Sequence, residues 1–235
     1  MPMTSYTRRL LSLALAVTPF LTCAQEVKEI FVPPGGRGNA LVAVSGQSGV
    51  AQYREQASKL SEAGFFVVLV DGKDVLIRTA GSLDPVGHAR LRKVLSEAVA
   101  DPRSSSMKAV LLGYSLGGGG VVQWGLADDD LVSRAVLFYP VVSRPGQDMA
   151  RAASEVRYPV LVLAGAQDKY MNCCLIETMQ LLQTEARKRS APLELVVYPN
   201  AEHAFNLPGS TFRAEDAADS WDRMSKFFSG HQVIE

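Results

Sequence analysis

Six short apolar runs set the frame of this chain: LVAVS (41–45), FFVVLV (65–70), AVLLG (109–113), AVLFY (135–139), VLVLA (160–164) and LELVVY (193–198). Each has strand length and is rich in β-branched or aromatic residues. Several are apolar at every position, which suits strands covered by helices on both faces rather than strands wetted on one side. Between them, helical spacing is predicted at 52–63, 86–100, 116–126, 175–188 and 214–228. The last shows its face most plainly: Ala214, Ala217, Ala218, Trp221, Met224 and Phe228 recur at three- and four-residue steps, whereas Glu215, Asp219 and Asp222 fall elsewhere. Trp221 therefore reads as packing. Segment 26–32 adds a candidate edge strand before a PPGG turn. The β-α-β-α order predicts one α/β domain over 25–235 on a doubly wound, mainly parallel sheet. Roughly 210 residues leave no room for a large cap domain.

Charge narrows the partners. With 24 basic and 24 acidic residues in 235, and no basic cluster after the first few positions, the electrostatic footprint of a nucleic-acid binder is missing. The N-terminus reads differently from the rest. Arg8 and Arg9 precede LLSLALAV, then Pro19 and TCAQ, with no acid before Glu26. This is the pattern of a secretory signal over residues 1–24, and it predicts an exported protein, periplasmic or secreted, with no membrane span after processing. The Arg pair also resembles a twin-arginine signal, so the export route stays open. Processing leaves Cys173 and Cys174. Adjacent Cα atoms are about 3.8 Å apart, below the roughly 4.4–6.8 Å usual for a disulfide. Free, mostly buried thiols are expected, and no Cys/His spacing suggests a metal site.

The stretch GYSLG (113–117) fits G-x-S-x-G, and its context matters more than the pattern. It stands after the strand AVLLG and before LGGGGVVQWGL, so Ser115 falls on a tight strand-to-helix turn that lifts its hydroxyl above the sheet edge. A serine hydroxyl is a weak nucleophile near neutral pH and needs a histidine base oriented by a carboxylate. Of three histidines, His88 lies in a helical stretch before the serine and His231 in the C-terminal tail. His203, in YPNAEHAFN, follows LELVVY and so belongs at the same sheet edge as Ser115. Asp168, in LAGAQDKY, completes the order Ser, Asp, His. Asp71 precedes the serine, Asp128–Asp130 read as a solvated turn, and Glu202 neighbours the base too closely to fold back on it. Two backbone amides are expected to bind the oxyanion: Leu116, directly after the serine, and Gln47 in the SGQSG loop. Neither G-x-G-x-x-G nor G-x-x-x-x-G-K-[ST] occurs, so that loop is not read as a nucleotide site. Tyr114, Tyr139, Lys169, Tyr170 and Phe205 are candidate pocket residues because they neighbour these positions.

From about residue 40 the chain resembles the dienelactone hydrolase family of α/β-hydrolases. The resemblance runs through SGQSG, AGFFVVLVDG, GYSLGG, VLFYPV, VLVLAGAQD and above all VYPNAEHAFN, then the helix with Trp221 and Phe227-Phe228. It implies Ser115 as nucleophile, Asp168 as acid, His203 as base and the Leu116 and Gln47 amides at the oxyanion. Two departures accompany it. Ser115 stands where the dienelactone hydrolases proper carry cysteine, as in esterase relatives. Gly46 and Asn206-Leu207 stand where they carry an acid and a substrate-binding arginine. Together these point to small carboxylic esters or lactones rather than dienelactone itself, with no metal or organic cofactor. A peptidase or acyltransferase on the same three residues, or a non-catalytic binding protein on the fold, are the rival readings. Oligomeric state is not legible.

Overall fold

The computed structural model describes residues 28–79 and 82–230. The expected signal segment 1–24 and His231 lie outside them, as do the first two residues of the candidate edge strand. Seven strands form the main sheet: β1 (Lys28–Phe31), β2 (Asn39–Val44), β3 (Phe65–Val70), β6 (Ala109–Tyr114), β7 (Val132–Phe138), β8 (Val160–Gly165) and β9 (Leu193–Tyr198). Their spatial order is β1-β3-β2-β6-β7-β8-β9. All neighbours are parallel except the edge strand β1, which pairs antiparallel with β3, Lys28 opposite Val70. A two-stranded hairpin, β4 (Arg78–Thr79) and β5 (Ser82–Leu83), lies apart from the main sheet.

The helices are α1 (Arg54–Glu62), α2 (Val86–Ala100), α3 (Leu116–Gly120, continued by one π-helical turn, Val121–Gly125), α4 (Met149–Glu155), α5 (Ile176–Lys188) and α6 (Ala214–Phe228). Strand periodicity divides the core between them. In β2, Ala40, Val42 and Val44 join one buried cluster with Leu91 and Leu95 of α2, Ala152 of α4 and Leu182 of α5. Leu41 and Ala43 face the other, with Ala57 and Leu60 of α1 and Met224 and Phe228 of α6. Alternate side chains of one strand thus serve two apolar layers, which is why several of these runs carry no polar position. The α/β-hydrolase expectation holds, and no large inserted cap interrupts the described residues. Among them, no helix is long and apolar enough to cross a membrane.

α4 has no counterpart in the sequence reading. MARAASE spans only two turns, too short to establish a period, and it is started by Asp148, whose carboxylate accepts hydrogen bonds from the amides of Ala150 and Arg151. Asp128 corrects the solvated-turn expectation. It is 2% exposed and is gripped by Arg92, with His88 at 3.2 Å from the same oxygen.

The sheet order fixes where a site belongs. From β2 the chain steps to β3 on one side and returns as β6 on the other, so connections diverge at the C-terminal ends of β2 and β6. Open α/β sheets leave a crevice at that point.

Candidate functional site

Ser115 follows β6 directly, with φ 48° and ψ −110°, a backbone conformation that non-glycine residues rarely adopt. The strand and helix on either side hold it there. The Ser115 amide donates to Phe138 O at 3.0 Å, and its carbonyl accepts from Gly119 and Val141, each at 2.9 Å. Gly117 needs to be glycine: a Cβ there would lie 2.4 Å from the Val44 carbonyl oxygen and 2.5 Å from that of Ser45. This close approach lets the Gly117 amide bond Ser45 O at 3.0 Å, tying the start of α3 to the end of β2. Ser45 Oγ also accepts from the Gly72 amide at 3.2 Å, so one buried serine joins three loops beneath Ser115.

His203 comes from the loop after β9 and Asp168 from the loop after β8. His203 Nε2 lies 3.0 Å from Ser115 Oγ, and its Nδ1 lies 2.7 Å from Asp168 Oδ2. The second carboxylate oxygen, Oδ1, accepts from the Tyr170 amide at 3.0 Å. Both oxygens are therefore engaged, as a buried carboxylate requires. With the carboxylate on Nδ1, that nitrogen carries the imidazole proton and Nε2 is left to accept from the serine hydroxyl. The Asp168 side chain is wholly shielded and that of His203 is 12% exposed. Two tyrosine rings flank the imidazole: Tyr139 tilted at 4.7 Å and Tyr170 stacked at 4.6 Å, only 13° from parallel.

A cavity of about 420 Å³ opens beside Ser115, lined among others by Gln47, Leu116, Leu76, Val141, Tyr170 and Met171. Gln47 and Leu116 thus line the same cavity as Ser115, and among the described residues neither amide is spent on a backbone hydrogen bond. The Gln47 loop is braced by a residue the sequence reading missed. The Tyr53 hydroxyl is hydrogen-bonded to Ser48 and to the Gly46 backbone, and burial pushes its pKa up to about 12, so it stays neutral. A Cβ on Gly46 would lie 2.3 Å from that hydroxyl. The phenol fills the space a side chain at position 46 would need, which gives a steric reason for glycine there.

Three of the candidate pocket residues are corrected. Tyr114, Tyr139 and Phe205 are at most 1% exposed and belong to the core beneath the site. Tyr114 stacks on Phe138 and packs on Tyr53, while Phe205 packs between Tyr139 and Tyr198. For Tyr114, the last residue of β6, nearness in sequence misled because strand residues alternate faces. Lys169 instead borders a separate depression of about 470 Å³ beyond Tyr170, with Glu202, His203 and Thr211. The missed charged residues of the cavity are Lys73, after β3, and Arg144, after β7. Neither makes an ion pair among the described residues, and no carboxylate lines the cavity.

The cysteines are also corrected. Cys173 and Cys174 form a vicinal disulfide, with their Cα atoms 3.8 Å apart, because neighbouring side chains can turn toward one another without the Cα atoms separating. The Cys174 sulfur, an Asp168 oxygen and a His203 nitrogen lie within 4.8 Å of one another. That set is poor for a metal ion, since the sulfur is not a thiolate and the imidazole and carboxylate are bonded to each other.

Comparison with known proteins bears on this geometry. The model of the dienelactone hydrolase family matches residues 30–232. A Yersinia pestis protein provisionally named carboxymethylenebutenolidase is 41% identical over 76 residues, 32% of this chain and 27% of that protein. The match therefore spans about a quarter of that relative's length. A crystal structure of a provisionally named dienelactone hydrolase from Klebsiella pneumoniae superposes with a TM-score of 0.72 at 20% identity, covering 88% of this chain and all of the other. The dienelactone hydrolase-like promiscuous phosphotriesterase P91, from metagenomic libraries, gives 0.70 at 24% identity over 87% of this chain and 92% of that one. These two likenesses concern the fold.

Proposed function

The chain belongs to the dienelactone hydrolase family, and from that premise we propose that it is a serine hydrolase that cleaves small carboxylic esters or lactones through an acyl-enzyme. The observation that carries this reading is the continuous chain of hydrogen bonds from Ser115 Oγ through His203 to Asp168, at the crevice where the sheet order reverses. In this reading His203 Nε2 takes the hydroxyl proton as Ser115 attacks the carbonyl, and Asp168 stabilises the imidazolium formed. The Gln47 and Leu116 amides bind the oxyanion; one such donor is worth about 2.7–4 kcal/mol of barrier. The leaving oxygen collects the proton from His203, which then activates water for deacylation.

The cavity chemistry refines the substrate. Two unpaired cations and no carboxylate favour an acyl group that itself carries a negative charge, such as a carboxylate. Lys73 and Arg144 would then serve where the sequence lacks an arginine after HAF. Arg144→Ala with Lys73→Ala is expected to raise KM for a monoanionic ester about 10- to 100-fold, with a far smaller change for its neutral methyl-capped counterpart. Steady-state kinetics on the matched pair checks this, and equal losses on both esters would remove the charge argument.

The experiment for the reaction class is intact-mass detection of fluorophosphonate labelling, comparing wild type with Ser115→Ala and His203→Ala. One adduct on the wild type and none on either variant is expected. A folded wild type that takes no label would favour a non-catalytic binding protein, and cleavage of amides or acyl transfer to an added alcohol in place of water would favour the peptidase or acyltransferase readings. The N-terminal pattern supports an exported enzyme.

A further inference from the structure

Residue 170 touches both partners of Ser115. Its backbone amide donates to Asp168 Oδ1 at 3.0 Å, leaving Oδ2 for His203, and its ring lies on the His203 imidazole at 4.6 Å and 13°. The same imidazole meets Tyr139, tilted by 60° at 4.7 Å, which is wholly buried and whose hydroxyl donates to Asn206 Oδ1 at 2.7 Å. Tyr139 is thus a fixed wall. Tyr170, 47% exposed, is the wall on the solvent side.

Its pose is set by the turn that carries it. Tyr170–Asn172 is a short 3-10 turn in which Met171 and Asn172 have φ of 48° and 50°. The turn closes through Cys173 N to Tyr170 O at 3.0 Å, and the Cys173 carbonyl accepts from Val142 and Ser143, each at 2.9 Å. The Leu175 amide donates to Ser143 Oγ at 3.2 Å. These bonds tie the turn to the loop after β7. They set the backbone from which the Tyr170 ring reaches the histidine.

We propose that Tyr170 is the positioning residue of the Ser115–His203–Asp168 array, its amide fixing the carboxylate and its ring face fixing the imidazole plane that aims Nε2 at Ser115 Oγ. The inference rests on the serine-hydrolase reading for its kinetic consequence, but not for its geometry. The flat aromatic contact restrains rotation of the ring, shields the Nδ1–H bond to Asp168 from water, and presents a π-face to the imidazolium formed during turnover. The hydroxyl of Tyr170 has no part in this. The ring also separates the cavity beside Ser115 from the depression bordered by Lys169 and Thr211. Leucine is therefore the informative replacement, because it keeps bulk in the wall while removing the π-face.

Tyr170→Leu is expected to lower kcat on a small ester, and the rate of fluorophosphonate labelling, about 2- to 12-fold, with KM within about twofold; Tyr170→Phe should restore both rates. The second readout is the proton NMR signal of His203 Nδ1–H, expected far downfield in wild type and Tyr170→Phe and broadened by water exchange in Tyr170→Leu. A leucine variant with wild-type rates and an unbroadened signal would overturn the proposal, as would a phenylalanine variant as slow as leucine. If wild type takes no label, the serine-hydrolase reading fails by itself, and the NMR comparison still decides whether Tyr170 holds the imidazole.

Discussion

Ser115→Ala is expected to hydrolyse its best ester about 10⁴- to 10⁶-fold more slowly than wild type while unfolding at the same urea concentration. The size of the loss follows from the way Ser115 and His203 share one function. Without Oγ, the imidazole at 3.0 Å has no hydroxyl to deprotonate and no acyl-enzyme can form. What survives is the contribution of the Gln47 and Leu116 amides and of substrate positioning. For the same reason the Ser115→Ala/His203→Ala double variant should be hardly slower than either single one. Progress curves with burst analysis, run on all three, check both statements. Multiplying losses in the double variant would mean that the two residues act separately, against the hydrogen-bond chain. Folding should be almost untouched, because the Ser115 backbone, not its side chain, makes the bonds to Phe138, Gly119 and Val141.

How much of this was legible before any coordinates depended on whether the signal was local. Strands such as FFVVLV and VLVLA announce themselves because they are buried on both faces, and α6 matches its predicted span of 214–228 because fifteen residues give the apolar face four turns to repeat. Ser115, Asp168 and His203 were readable because each follows a strand, and parallel strands deliver their C-terminal ends to one edge. Lys73 and Arg144 were not, since they come from loops after β3 and β7, separated in the sheet by β2 and β6, and nothing local says that their side chains converge. Tyr53 was hidden for a similar reason: its role depends on the empty space at Gly46. The bond between Cys173 and Cys174 is not legible from Cα separation alone, because adjacent side chains can turn toward one another. Tyr170 lines the cavity beside Ser115, but its contact with both Asp168 and His203 is a three-dimensional fact.

Gly117→Ala is expected to lower stability by about 3 kcal/mol or more and kcat by about 10²-fold in whatever remains folded. The added Cβ would meet two main-chain carbonyl oxygens, of Val44 and Ser45, and backbone cannot rotate aside as the end of a side chain can. Relief requires α3 to move off β2, which breaks the Gly117 amide bond to Ser45 O. That shift parts the Leu116 amide from the Gln47 loop, so the two groups proposed to bind one oxyanion no longer aim at a single point. Stability and rate should therefore fall together, unlike in Ser115→Ala, where only the rate falls. Gly35→Ala is the control, because the nearest atom to its new Cβ would be a carbonyl oxygen at 4.0 Å, and it should stay within about 0.5 kcal/mol of wild type. Urea unfolding midpoints and kcat on one ester, measured for both variants, decide the matter. If Gly117→Ala kept wild-type stability, the close approach of α3 to β2 would not be what holds Ser115 in its strained turn.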